Sequence, residues 1–251
     1  MKEKITEKML VEWYSGFRNP RPSKSFPIRN LSISIEGGAI YANNPGANAV
    51  SPLRGKDFGI DWEISGDALL LHTPSRNEDF IYLLDPGSKK VIRLDLYFEG
   101  EYFCIYSKDY PLPFALSKDF CASACRENLL IVDSGRKKYV FINEKGERVS
   151  ASMKIKKCLG CAALGAEGGI ACDSEKIFLF LGGERAEINL NGITEEKMQN
   201  PVFGPGKSKN YSWAAIKDKD WDFSILISIS GKEKFSYTRF PVSALKGRAP
   251  L

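Results

Sequence analysis

Beyond residue 30, apolar and polar residues alternate with a period of two along much of the chain. Leu31-Ser32-Ile33-Ser34-Ile35-Glu36 places its apolar side chains on one face, and so does Ile60-Asp61-Trp62-Glu63-Ile64-Ser65. Successive side chains of an extended backbone point to opposite faces, so this period predicts half-buried strands. A second pattern is a short apolar run that ends on a polar residue. It occurs in Ala68 to Thr73, in Leu129-Leu130-Ile131-Val132-Asp133, in Gly169-Ile170-Ala171-Cys172-Asp173 and in Ser224 to Ser228. Turn signals separate these runs: Glu36-Gly37-Gly38, Asp85-Pro86-Gly87, Glu144-Lys145-Gly146 and Ser230-Gly231-Lys232. Short strands between such signals predict a sandwich, barrel or propeller. Helical spacing appears in residues 4–14, where Ile5, Met9, Leu10 and Trp13 recur on one face, with Gly16 as a stop signal.

Internal similarity selects the propeller. Cys121 to Asp133 and Cys161 to Asp173 have the same length, and both end on Asp-Ser. Each is followed by a further strand, Lys138 to Asn143 and Lys176 to Leu181, and then by a Gly-Glu-Arg turn. The offset of about 40 residues fits a four-stranded blade. First strands are expected near residues 31, 59, 120, 160 and 212, which gives five blades of roughly 45 residues. In the early unit, Asp79 to Asp85 is expected as the third strand and Val91 to Leu96 as the fourth. The final strand, Phe235 to Pro241, is a candidate to share a blade with residues near the N-terminus, since propellers hide exposed strand edges by closure. Leu130-Ile131-Val132-Asp133-Ser134-Gly135-Arg136, with Tyr139-Val140-Phe141 after it, resembles the middle of an NHL blade. The chain is thus similar to the β-propeller superfamily, in the style of NHL and YVTN-type repeats, over residues 30–245. The expected fold is an all-β, five-bladed small propeller (residues 30–251) preceded by a short N-terminal helix and a basic, Pro-rich arm (residues 1–29).

Composition narrows the function classes. The chain has 251 residues, 43% of them hydrophobic and 27% charged, which is ordinary for a globular protein. No apolar stretch reaches the roughly eighteen residues of a membrane span. The charged N-terminus, Met1 to Lys8, predicts no secretory signal, and the six unevenly spaced cysteines read as reduced core residues. A cytoplasmic location and no membrane partner are therefore expected. The net charge of +5 permits an anionic partner without requiring one.

Candidate chemistry is sparse. Cys121 and Cys125, with Cys158 and Cys161, could suggest zinc, but residues three apart on a strand face opposite ways, so no metal is expected. Asp218, Asp220 and Asp222 alternate like the start of a calcium loop, yet Phe223 stands where the loop needs Gly and no distal carboxylate follows. Asp61 and Glu63 share one strand face and form a candidate acid and base for glycoside hydrolysis. Asp133 and Asp173, at equivalent positions of two units, could join them along a tunnel or cap turns. The single histidine, His72, has no nucleophile motif beside it and reads as structural. Trp221 lies in a charged loop, where an exposed ring could anchor a partner or stack on a sugar; the alternative is a ring folded back on its own hairpin. Arg18, Arg21, Lys24 and Arg29 could touch phosphates. No nucleotide-binding glycine motif occurs, and no cofactor is expected. A non-catalytic scaffold for a protein partner is the leading expectation. The alternatives are a carbohydrate-binding or glycoside-hydrolysing propeller and a nucleic-acid-associated accessory protein.

Overall fold

Both kinds of hydrophobic pattern occur among the strands, and each has its own place in a sheet. The computed structural model describes residues 22–28, 31–44, 49–53, 63–74, 78–99, 102–125, 127–164, 168–181, 184–207, 212–218, 220–230 and 234–241. Among these, five four-stranded antiparallel sheets each follow chain order. The first is β1 (Ser25–Ile28), β2 (Leu31–Glu36), β3 (Ala39–Asn44) and β4 (Ala49–Leu53). The second is β5 (Leu69–Pro74), β6 (Glu78–Leu84), β7 (Lys90–Glu99) and β8 (Tyr102–Pro111). The third is β9 (Phe120–Cys125), β10 (Asn128–Asp133), β11 (Lys138–Ile142) and β12 (Arg148–Ser152). The fourth is β13 (Gly160–Ala163), β14 (Gly168–Cys172), β15 (Lys176–Leu181) and β16 (Glu184–Asn189). The fifth is β17 (Pro201–Lys207), β18 (Ser212–Asp218), β19 (Phe223–Ser230) and β20 (Lys234–Pro241). The chain is all-β, and its repeated four-stranded meander is the blade of a β-propeller. The expected helix at residues 4–14 lies outside the described residues.

Alternation appears where one face is covered. In β2 the apolar positions Leu31, Ile33 and Ile35 are buried, and Ser32 and Ser34 are half-buried. The hairpin from β2 to β3 turns on Gly37 and Gly38, at φ 54° and 77°, and two consecutive positive φ values are what a tight twisted hairpin requires. Continuous apolar runs appear where both faces are covered, so all six residues of β10 are buried. By contrast, every residue of the fourth strand β12 is exposed.

The described residues fall into two compact units, one within 20–154 and one within 155–251. In the first unit the pleat splits the second sheet between two cores. Leu70, Ile81, Leu83 and Ile92 pack with Ile33, Ile35 and Ile40 of the first sheet. Their sequence neighbours Leu71, Phe80, Tyr82, Leu84 and Val91 pack with Leu129, Ile131 and Val140 of the third. Each buried Leu or Ile contributes about 1.5–3 kcal/mol of transfer free energy, so this sheet is held from both sides. In the second unit, Ile170, Cys172, Ile177 and Leu179 pack with Ile216, Phe223, Ile225 and Ile227.

Several expected boundaries move. The first sheet opens at Ser25 rather than near residue 31. In the second sheet, β6 and β7 are the second and third strands, and the fourth is β8. Residues 54–62 lie outside the described residues, and Glu63, Ile64 and Ser65 belong to no strand. Ser212 starts a second strand, because the Pro- and Gly-rich stretch 201–207 is itself the first. Proline is tolerated on such an edge strand, where one side of the backbone needs no ladder partner. β20 pairs with β19 as the fourth strand of its own sheet.

Candidate functional site

An aspartate stands at the end of the second strand in four of the five sheets: Asp85, Asp133, Asp173 and Asp218. All four are buried, at 2%, 0%, 3% and 2% exposure. Each binds the loop that precedes its own sheet. Asp85 accepts from the Ser65 N–H at 3.1 Å and the Ser65 hydroxyl at 2.5 Å. Asp133 accepts from the Ser117 N–H at 2.8 Å, its hydroxyl at 2.5 Å, and the Arg136 N–H at 2.9 Å. Asp173 accepts from the N–H groups of Lys156, Glu175 and Lys176. Asp218 accepts from those of Gln199, Asn200 and Asp220. In a meander, the loop before strand one and the turn between strands two and three emerge at the same end. The carboxylates therefore tie these two segments together, and a buried carboxylate is tolerated because several N–H donors surround it.

The sequence pattern singles out Asp133 and Asp173. Their carboxylates point into the fold and hold turns. Asp85, read in the sequence only as a turn residue, and Asp218, read there only as the start of a calcium-like loop, carry the same signal: an apolar strand that ends on Asp just before a turn. Asp61, Arg18 and Arg21 lie outside the described residues, as does Arg29. Glu63 is exposed and borders an open depression of about 370 Å³, together with Ser65, Asp85, Ser88, Lys89 and Lys90. Lys24 donates its ammonium to the carbonyls of Gly66 (2.6 Å) and Ala68, so it tethers the segment before β1 to the loop before β5.

Of the two readings of Trp221, the exposed anchor is not met and the ring is folded back. Trp221 is 4% exposed rather than on the surface, and its ring stacks on Phe223 at 4.6 Å. The Trp221 N–H donates to the Asp218 carbonyl, so the turn curls back and sends the indole into the core while Asp220 and Asp222 stay outside.

In the first unit, the anchored segments join into one surface. The Gly87 N–H donates to the Leu116 carbonyl at 2.8 Å, and the Leu116 N–H donates to the Ser88 carbonyl at 3.1 Å. The Ser134 N–H donates to the Asp119 carbonyl at 2.8 Å. Gly135 passes so close that a Cβ there would stand 2.6 Å from the Ser117 hydroxyl oxygen. Lys89, Lys118, Arg136 and Lys137 are exposed on this surface. Lys118 pairs with Asp67 at 2.6 Å, and this hydrogen bond lowers the Asp67 carboxyl pKa and raises that of the lysine. Lys90 lies 3.5 Å from Asp109.

A half-buried histidine and a buried arginine lie elsewhere in this unit. His72 Nε2 is 2.9 Å from Asp79 Oδ1, and the ring stacks on Phe26 at 4.9 Å. Arg93 on β7, 5% exposed, donates Nη2 to Asp95 at 2.7 Å and Nη1 to Glu127 at 2.8 Å. Its Nε is only 2.6 Å from Asp95 Oδ1 yet is poorly directed for a hydrogen bond. The guanidinium lies 5.1 Å from the Phe80 ring centre, and among the described residues the hydroxyls of Tyr82 and Tyr110 meet no well-directed hydrogen-bond partner. Burial disfavours the charge on Arg93, but the Asp95 and Glu127 partners outweigh it and raise its pKa.

No protein-family model matches the chain, and no curated protein matches it. Among solved structures it is similar to virginiamycin B lyase from Staphylococcus aureus, at 12% identity and a TM-score of 0.46, over 88% of this chain and 70% of that one. It is similar to the WD40 domain of SCAP from fission yeast at 8% identity and a TM-score of 0.49, over 84% of this chain and 56% of that one. A streptogramin B lyase structure is similar at 10% identity and a TM-score of 0.37, over 87% of this chain and 83% of that one. These are propeller-type folds.

Proposed function

We propose that the protein is a non-catalytic platform that binds a protein partner through the loops anchored by the four aspartates. The observation that carries this reading is the state of those carboxylates. Acid–base catalysis needs a carboxyl that can reach a substrate and exchange a proton. Asp85, Asp133, Asp173 and Asp218 are instead buried and engaged by the backbone of their own loops. Loops fixed in this way present their outer side chains with little ordering cost on binding, and that suits recognition.

The test is photo-crosslinking of the purified chain in native extract. Probes are placed within the first unit's loops at residues 85–90, 112–119 and 134–138, and in the second unit at 155–157. One protein captured in fixed stoichiometry through the loop probes supports the platform. Capture only through the outer strands, where Tyr106 is 62% exposed, overturns the loop assignment. Turnover of any glycan that is lost in Glu63→Gln overturns the non-catalytic reading.

A further inference from the structure

We infer that the loop surface of the second and third sheets recognises an acidic peptide segment of its partner. The inference rests on the platform reading and adds the chemistry of what is bound. Three segments build the surface: the turn 85–90, the loop 112–119 and the turn 134–138. Backbone hydrogen bonds stitch them together, including Leu112 N–H to the Lys89 carbonyl at 2.6 Å and Ser134 N–H to the Asp119 carbonyl at 2.8 Å. Lys89, Arg136 and Lys137 are exposed and make no ion pair among the described residues. Lys138 lies beside them with its ammonium 5.5 Å from the Phe114 ring centre. Pro111 at the end of β8 and Pro113 just after it are exposed and offer rigid apolar contacts.

The backbone of Lys137 supplies a second observation. It has φ 54°, the left-handed region that favours glycine or asparagine. Its N–H donates to the Ser134 carbonyl at 3.2 Å, and its carbonyl accepts from the Met153 N–H at 2.9 Å, so the conformation is fixed at both ends. A long cationic side chain at a position better suited to glycine points to a role outside the fold. Acidic Asp67, Asp109 and Asp119 are interleaved with the lysines. They would repel the unbroken charge of a phosphodiester backbone, whereas a peptide can place its carboxylates only where cations wait.

The test titrates the full chain with a fluorescein-labelled peptide of alternating Glu and Leu, beside single-stranded oligo-dT. Peptide binding that weakens steeply with salt is expected. Lys137→Gly should lower affinity about threefold, the effect of one exposed charge. Because it relieves the backbone, its melting temperature should equal or exceed that of the wild type. Lys89→Ser with Arg136→Ser and Lys137→Gly should lose more than about tenfold. No peptide binding at low salt, equal binding by the triple variant, or tighter binding of oligo-dT would each overturn the inference. If the peptide fails while crosslinking still captures one partner through the loops, only the acidic assignment falls. If both fail, the platform falls with it.

Discussion

Single buried polar groups set much of the energetics. Asp133 is the clearest case, because it is fully buried and takes three donors. Asp133→Ala would leave the Ser117 and Arg136 N–H groups without their acceptor and should cost about 3 kcal/mol. Urea denaturation checks this, and a change within about 0.5 kcal/mol would mean the loops hold without it. Tyr82 and Tyr110 act in the opposite direction. Burial disfavours their phenolates and raises both pKa values, and the nearby Arg93 charge offsets only part of this. The folded state then keeps these protons longer than the unfolded chain, whose tyrosines titrate near pH 10. Stability from this source is complete below about pH 10 and is lost as pH rises past it. The wild-type urea midpoint should therefore fall between about pH 9 and pH 11, and should fall less in Tyr82→Phe/Tyr110→Phe. Equal slopes in both proteins would contradict the assignment. Trp221 is another residue whose setting matters more than its neighbours in sequence. Its flanking charges fit an exposed loop as well as a ring folded back on the hairpin, and the turn that carries the Trp221 N–H to the Asp218 carbonyl sends the ring inward.

Elements are joined by the same economy of polar contacts. Arg93, on the third strand of the second sheet, reaches Glu127 at the first hairpin of the third and so links the two. Glu127 is 37% exposed, so this link is worth little by itself. The buried pair with Asp95 matters more, because removing the cation strands a largely buried carboxylate. Arg93→Met should cost about 3–5 kcal/mol, and adding Asp95→Leu should recover most of it. Arg93→Lys should also destabilise, since a point charge cannot serve both carboxylates. Denaturation of the three variants decides the matter, and failure of the double variant to recover would assign the loss to packing. Strands of the third and fourth sheets are legible in sequence for a physical reason. Their second strands, β10 and β14, are buried on both faces and read as unbroken apolar runs that stop on a turn-capping Asp. The first strand of the fifth sheet hides in Pro201 to Lys207, because an edge strand can carry proline and glycine that a central strand cannot. The second sheet is miscounted by one strand, since its first strand is β5 and the described end of the alternating stretch, Glu63, Ile64 and Ser65, belongs to no strand. The basic loop surface is invisible in sequence, because its cations come from turns nearly fifty positions apart.

At the scale of the molecule, one supersecondary unit repeats, and its internal gradient should repeat with it. The second and third strands of each described sheet have hydrogen-bonded neighbours on both sides, while the fourth strands pair on one side only. In the third sheet this coincides with burial: β10 is wholly buried and β12 wholly exposed. Opening a fourth strand breaks one ladder, whereas opening a second strand breaks two ladders and uncovers buried apolar side chains. Amide hydrogen exchange should therefore show protection that rises and falls with a four-strand period along the chain. β6, β7, β10, β11, β14 and β15 should exchange slowest, and β12 fastest among the strands. The loop segments 112–119 and 134–138 should be slower than surface loops usually are, because Asp133 and the Asp119 carbonyl hold their N–H groups. In Asp133→Ala that loop protection should vanish before the protection of β10 changes. Loss of both together would mean that the anchored loops and the sheet open as one unit, leaving no rigid platform distinct from the blade beneath it.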